Sequence, residues 1–236
     1  GLNGQARLPQ EAMRGRFFKA KFATREIRNS IKLSLGWEHA FFGDYKTSVT
    51  GFYNGHDGLP YTWIIDGDPH GDRIFQDPAY IPQVNDPNVS YVWGSRAATA
   101  EQIAAFQDFI SSNGYLSARR GTVADRNGDR NPWVNQLDVS VQQELPGFFK
   151  EHKSVIRLDI YNFLNMLNKD WGLTKNVGGY DTRYLAKLSK VNADGTYVYD
   201  LSSNAPQNLA VYDYNSGYPS RVVSRWSALL TFRYEF

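Results

Sequence analysis

The chain has 236 residues, with 26 Lys plus Arg against 24 Asp plus Glu, no Cys, and a net charge of +2. That balance argues against a nucleic-acid binder, which carries a clustered excess of positive charge, and the lack of Cys excludes disulfides, thiolate metal sites and a Cys nucleophile. At 42% hydrophobic and 21% charged the composition is globular and fits one large domain or two small ones.

The aromatic share is 15%, with 15 Tyr and 6 Trp against 2 Met, a bias toward β-structure because rings fit a pleated surface. No stretch approaches the length of a transmembrane helix, and the start Gly1-Leu2-Asn3-Gly4 carries no signal-peptide pattern. A membrane is still open to this chain, since a barrel strand crosses lipid with about 9–11 alternating residues.

In chain order, the first expected strand runs from 31 to 41, where Ile31, Leu33, Leu35, Trp37 and Phe41 alternate against Lys32, Ser34, Gly36 and Glu38, with His39 the odd member. The second, Tyr45 to about Ile65, is less regular, and Gly58 and Pro60 interrupt it. Thr99-Ala100-Glu101-Gln102 reads as a capping box, followed by Ile103, Phe106 and Ile110 at helical spacing and by Asn113-Gly114 as a stop. The third strand, 133 to 145, sets Trp133, Leu137, Val139, Val141 and Leu145 against Gln136, Asp138, Ser140, Gln142 and Glu144. The fourth, 154 to 165, sets Ile156, Leu158, Ile160 and Leu164 against Arg157, Asp159, Tyr161 and Asn165. Tyr184 to Lys190 and Tyr197 to Leu201 flank Ala193-Asp194-Gly195 and read as a hairpin. The last strand, 223 to 236, is the clearest, with Trp226, Ala228, Leu230, Phe232, Tyr234 and Phe236 at every second position and Leu229 the exception on the polar side.

The connections alternate between short and long. Phe42-Gly43-Asp44 and Pro146 to Lys153 are turns, whereas Asp66 to Asn131 and Asn168 to about Val222 span ~65 and ~55 residues, lengths that count against the strand assignments in a compact soluble domain. In an outer-membrane barrel they are expected, since periplasmic turns are short and extracellular loops long. Threading the five strands puts both short turns on one side and both long loops on the other.

No catalytic set assembles, so an enzyme is not expected, and the chain calls for no cofactor. His39, His56, His70 and His152 lie in different elements without metal-ligand spacing. The stretches 66–72 and 125–131 carry carboxylates that could hold a hard cation, but the second departs from the calcium-loop pattern by its early Gly, its two Arg and its lack of a terminal Glu; solvated loops are the favoured reading and no metal site is assigned. Rings at strand ends, Trp37, Phe41, Tyr45, Trp133, Trp226 and Phe236, suit an interfacial girdle, or else the core of a soluble sandwich. The loop aromatics Tyr61, Trp63, Tyr91, Trp93, Tyr212, Tyr214 and Tyr218 either stack on a ligand or pack the loops together, and packing is favoured; the candidate ligand contacts are Tyr61, Trp63, Tyr91, Trp93, Tyr212 and Tyr214.

The ending from Ser224 to Phe236 resembles the C-terminal signal read by the outer-membrane barrel assembly machinery, with Trp226, Leu230, Phe232, Tyr234 and Phe236 as its anchors. Asn131-Pro132-Trp133-Val134-Asn135-Gln136-Leu137-Asp138, then Leu145-Pro146-Gly147, then Leu158-Asp159-Ile160-Tyr161-Asn162-Phe163-Leu164-Asn165, together with Gly58 and Pro60-Tyr61, are similar to the last strands of TonB-dependent outer-membrane receptors of the Oar-like group. The similarity covers roughly residues 25 to 236.

The resemblance implies an all-β fold: the last five antiparallel strands of a transmembrane β-barrel of about 22 strands, with long extracellular loops, one containing a short helix. Residues 1–28 would end an extracellular loop, 29–66 form a hairpin, and 67–131 form a long loop with the helix at about 99–112. Residues 132–166 would form a second hairpin, 167–221 a long loop with its own hairpin, and 222–236 the terminal strand.

The implied location is the outer membrane of a Gram-negative bacterium. The implied partners are outer-membrane lipid, the assembly machinery, the receptor's own plug domain and, through it, TonB, neither of which this chain contains, and an unidentified extracellular ligand. The polar strand residues Lys32, Glu38, Arg157, Asp159, Arg225, Arg233 and Glu235 would line the lumen or contact the plug. The expected role is uptake of a scarce ligand. An adhesion or surface-interaction barrel, and a soluble all-β carbohydrate-binding module, are the alternatives.

Overall fold

The computed structural model describes residues 26–71, 73, 77–177, 181–203, 212–213 and 224–236. Strand makes up 51% of it and helix 12%, which fits the expected all-β class. The strands in chain order are β1 (Ser30–Phe42), β2 (Tyr45–His56), β3 (Pro60–Asp66), β4 (Tyr80–Ile81), β5 (Val89–Trp93), β6 (Arg96–Ala97), β7 (Thr122–Val123), β8 (Asp129–Arg130), β9 (Val134–Pro146), β10 (Lys153–Tyr161), β11 (Lys175–Asn176), β12 (Thr182–Val191), β13 (Tyr197–Asp200), β14 (Tyr212–Asp213) and β15 (Ser227–Glu235). The helices are α1 (Ala100–Ser112), α2 (Gly114–Ser117) and α3 (Phe163–Leu167).

The chain divides into two compact units. One, residues 27–58, 132–176 and 212–236, holds a five-stranded sheet in the order β1-β2-β9-β10-β15, antiparallel throughout. These are the five strands that alternation picks out. Strand order follows chain order, as it does when each strand pairs with the next one that alternation provides. Gly43 closes the β1–β2 hairpin with φ 63°, a left-handed value at the first central position of a two-residue turn, where glycine is favoured. In the turn from β9 to β10, a Cβ on Gly147 would lie 2.4 Å from that of His152, so the close approach there needs glycine. Both tight turns lie at one end of the sheet; both long connections leave from the other, where His56 pairs with Val134 and Tyr161 with Ser227.

Three expected strands are shorter than alternation suggests. The run from Tyr45 to about Ile65 is two strands in different sheets. Asp57 ends the first: its carboxylate accepts from the Asn29 backbone N–H at 2.9 Å and its own N–H donates to the Asn29 carbonyl at 3.0 Å. Pro60, which has no N–H, opens the second. The run to residue 165 stops at Tyr161 because Asn162 takes a left-handed conformation, φ 53°, donates its N–H to Asp138 Oδ1 at 2.8 Å and starts α3. The last strand begins at Ser227 rather than 223.

The other unit combines residues 59–131 with 177–211. Its six-stranded sheet has the order β6-β5-β13-β12-β3-β8. The expected hairpin is present as β12 and β13, antiparallel to each other. Its place was not expected: β12 pairs parallel with β3, and β13 pairs parallel with β5. A hairpin from the second long connection thus fills the middle of a sheet whose other strands come from residues 60–130. Tyr61, Trp63, Ile65, Phe106, Ile110, Leu185, Tyr197 and Tyr199 are buried in one core. The α1 capping box is formed, with Gln102 N donating to Thr99 Oγ1 at 3.3 Å and Thr99 N donating to Gln102 Oε1 at 2.9 Å. Phe106 and Ile110 are the residues of α1 that are buried, as the helical spacing predicts.

Candidate functional site: the two faces of the five-stranded sheet

Side chains alternate across a strand, so partners in register share a face. One row reads Trp37, Val49, Val141, Leu158, Leu230. The next reads Leu35, Gly51, Val139, Ile160, Ala228. On the far side of the first lie His39, Thr47, Gln143, Ile156 and Phe232. The result is an apolar face continuous over five strands, and it is uncovered: Leu35 is 76% exposed, Leu230 70% and Phe232 61%. His39, out of place in the sequence pattern, stands between Trp37 and Phe41, with ring centroids 5.9 and 4.6 Å away.

The five residues read as an assembly signal belong to this face. Trp226, Leu230, Phe232 and Phe236 are exposed, Phe236 at 98%. Tyr234 is partly covered by the β9–β10 turn: its hydroxyl accepts from the Phe148 N–H at 3.2 Å and hydrogen-bonds His152 Nδ1 at 2.8 Å. Phe148 and Phe149, which the strand pattern passes over, are also exposed in that turn. Among the described residues, β1 pairs only with β2 and β15 only with β10, so each keeps one unpaired edge.

The opposite face is polar. Glu38 and Lys46 form an ion pair at 2.5 Å, Arg157 and Asp159 one at 2.7 Å, and Arg233 and Glu235 another at 2.7 Å; Lys32 and Arg225 are exposed. On this face β2, β9 and β10 frame an open concavity of about 420 Å³. One side is the row Ser48, Gln142, Arg157, and the middle is Thr50, Ser140, Asp159. Phe52 opposite Asp138, with Tyr161 next along β10, forms the other side. Alternation identifies the β9 and β10 members of this set; the β2 members needed the β2–β9 register, which no local pattern specifies.

The loop aromatics lie elsewhere. Tyr61 and Trp63 are buried, at 3% and 0% exposure, so they pack their unit and present no ring face for a ligand. Asp129 Oδ2 accepts from the Tyr61 hydroxyl at 2.7 Å, Trp63 Nε1 at 2.8 Å and Asn113 Nδ2 at 3.2 Å. The Arg183 guanidinium lies 4.7 Å from the Trp63 ring. Burial, then the Asp129 carboxylate beside it, push the Tyr61 hydroxyl well above the ordinary tyrosine range. Tyr91 and Trp93 are half-buried, and the Tyr91 hydroxyl accepts from Gln107 Nε2 at 3.1 Å. Tyr212 pairs through its backbone with Asn176; Tyr214 and Tyr218 lie outside the described residues.

The two acidic stretches fold onto themselves. Asp68 accepts from the N–H groups of His70, Gly71 and Arg73, and Asp125 pairs with Arg119 at 2.7 Å while Asp129 holds the rings. Among the described residues no three His, Asp or Glu side chains gather as metal ligands. Elsewhere in this unit, burial alone would raise Asp86, but the N–H groups of Gln83 and Asn88 and the Tyr80 hydroxyl outweigh it and hold the carboxyl below its usual range.

No family model matches the chain, and no curated protein or solved structure matches it.

Proposed function

We propose that the chain is part of the wall of an outer-membrane β-barrel: the C-terminal portion of a TonB-dependent receptor of the Oar-like group, which binds a scarce extracellular ligand and imports it into the periplasm. The carrying observation is the apolar face that runs across all five strands and is most exposed on β1 and β15. Withdrawing that surface from water is worth on the order of 10 kcal/mol at about 25 cal/mol per Å², as much as the whole stability of an ordinary domain, about 5–15 kcal/mol. A face of this kind needs an apolar neighbour.

A second protein layer would cover the face but leave the outer edges of β1 and β15 unpaired. Lipid on the apolar face, with further strands continuing both edges into a closed barrel, provides for both. The strands have 9 to 13 residues, which meets the about 9–11 residues with which a tilted barrel strand crosses a membrane. In this reading the polar face lines the lumen and meets the plug, the tight turns are periplasmic, and the loop-derived unit is extracellular.

One observation favours a second reading, an adhesion barrel: the two long connections share one core and form a folded platform. The presence of a plug domain and TonB box in the full gene separates import from adhesion.

The membrane reading is tested by fractionating the full-length protein and by its migration on a gel before and after boiling. Recovery in detergent-extracted outer membranes, with migration that changes on boiling, is expected. A protein that stays soluble and monomeric without detergent overturns the reading.

A further inference from the structure

The strongest unassigned feature is the concavity on the polar face, and we infer that it is a binding subsite for a neutral, polyhydroxylated ring, a sugar unit. Charge comes first. Arg157 Nε and its terminal nitrogen both bond Asp159 Oδ1, at 2.8 and 2.7 Å, and Asp138 Oδ1 accepts the Asn162 N–H. Arg157 and Asp159 therefore neutralise each other, and Asp138 has one oxygen engaged by a backbone N–H.

Four neutral polar groups are not engaged in this way. Ser48, Thr50, Gln142 and Tyr161 line the concavity and, among the described residues, make no side-chain hydrogen bond to the protein. Hydroxyls and a carboxamide both donate and accept, which matches neighbouring hydroxyls of a sugar better than it matches a phosphate or an ammonium.

The rings supply the second half of the argument. Phe52 on β2 and Tyr161 on β10 are 42% and 45% exposed and have β9 between them. Two strand spacings separate their backbones by about 9–10 Å, and between them β9 places only the short Asp138. Allowing about 3.5–4 Å of contact distance on each side, the gap admits one ring lying between two aromatic walls above Asp138, and the Thr50, Ser48 and Gln142 side chains continue along the concavity beneath a second sugar unit. The inference requires the concavity to stay open to water, in a lumen as on a soluble surface.

The test is titration calorimetry on the full chain in the detergent that keeps it folded. Maltose and cellobiose serve as neutral probes, glucuronic acid as the anionic one and glucosamine as the cationic one. Expected is saturable binding of a neutral disaccharide in the millimolar range, about −4 kcal/mol, unchanged when salt is raised enough to screen surface charge. Gln142→Ala and Tyr161→Ala should each weaken it at least tenfold, and Lys32→Ala, on the same face but outside the concavity, should not.

Absence of saturable binding, preference for glucuronic acid that salt abolishes, or variants that bind as the parent does would each overturn the proposal. Circular dichroism of each variant checks folding, and Gln142→Ala carries the test if Tyr161→Ala does not fold. Should the protein prove soluble, the same titration runs in buffer, so failure of the membrane reading and failure of this one are distinguishable.

Discussion

In the loop-derived unit Trp63, Ile110, Leu185 and Tyr199 are fully buried, whereas in the five-stranded sheet Leu35, Leu230 and Phe236 are 76%, 70% and 98% exposed. The first unit keeps its apolar side chains for itself and pairs carboxylates internally, as it does Asp129 and Asp86. The second turns its apolar side chains outward and keeps its ion pairs on the other face. One chain thus contains a unit whose stability is intrinsic and a sheet whose stability depends on what surrounds it. Substitutions should separate the two.

The largest expected effect is from Leu185→Asp, which puts a charge in a core position of β12 where nothing pairs it; a buried unpaired charge costs more than about 4 kcal/mol. Because β12 and β13 lie between β3 and β5, the variant should lose amide protection in α1 and β3, both from residues 60–130, while β9 and β10 keep theirs. Hydrogen exchange reads this directly. If α1 stays protected, the two connections are not one cooperative unit.

Next comes a pair of neighbours on β15. Leu230 lies opposite Leu158 on the apolar face and Leu229 opposite Asp159 on the polar one. If the proposed membrane reading holds, Leu230→Arg should destabilise the protein in lipid by about 2–4 kcal/mol, as a lipid-facing charge near the bilayer midplane does. Leu229→Arg should change it by less than about 0.5 kcal/mol, the usual range for a surface substitution. Denaturant titration in bilayers measures both, and equal losses would mean the faces are assigned wrongly.

This contrast also explains what could be read from the sequence. Each strand of the five-stranded sheet has period two, and its neighbour in space is the next strand that alternation provides, so pattern and turn signals were enough to find it. In the loop-derived unit Thr62 pairs with Thr182, and Tyr91 with Tyr199. These pairings join segments more than 100 residues apart, and parallel pairing leaves no turn between partners. β3 is buried nearly throughout, so it has no polar side to alternate with, and it merged with β2 into one long irregular run. The α1 helix and the β12–β13 hairpin were legible because capping boxes and Asp-Gly turns are local. That Tyr61 and Trp63 pack inward was the favoured reading, but that both donate to Asp129 was not legible, since its position depends on a pairing that no local signal reports.

A third difference is in the response to base. Burial raises the hydroxyls of Tyr80 and Tyr115, both in the loop-derived unit, to about 12, and raises those of Tyr61, Tyr91, Tyr197 and Tyr199 as well. A group whose folded pKa is raised gives stability that is complete below its unfolded value, about 10, and that declines as pH rises toward the folded one. The loop-derived unit should therefore weaken between about pH 10 and 12 while the sheet keeps its exchange protection. Tyrosinate absorbance rising in step with loss of α1 protection is the expected observation. Absorbance that rises while α1 stays protected would mean that these hydroxyls ionise without opening the core.

The smallest effect tests whether local signals act locally. Thr99→Ala removes the acceptor for the Gln102 N–H and should cost about 1 kcal/mol, about a fivefold change in an opening equilibrium. Phe106 and Ile110 anchor the later turns of α1 in the core, so the cost should fall on the first turn alone: the Gln102 and Ile103 amides exchange about fivefold faster and the Phe109 and Ile110 amides are unchanged. Thr99→Ser keeps the hydroxyl and should restore the parent rates. If exchange quickens evenly along α1, the cap contributes to the cooperative core, and the division between a local helix start and a non-local sheet is less sharp than the register suggests.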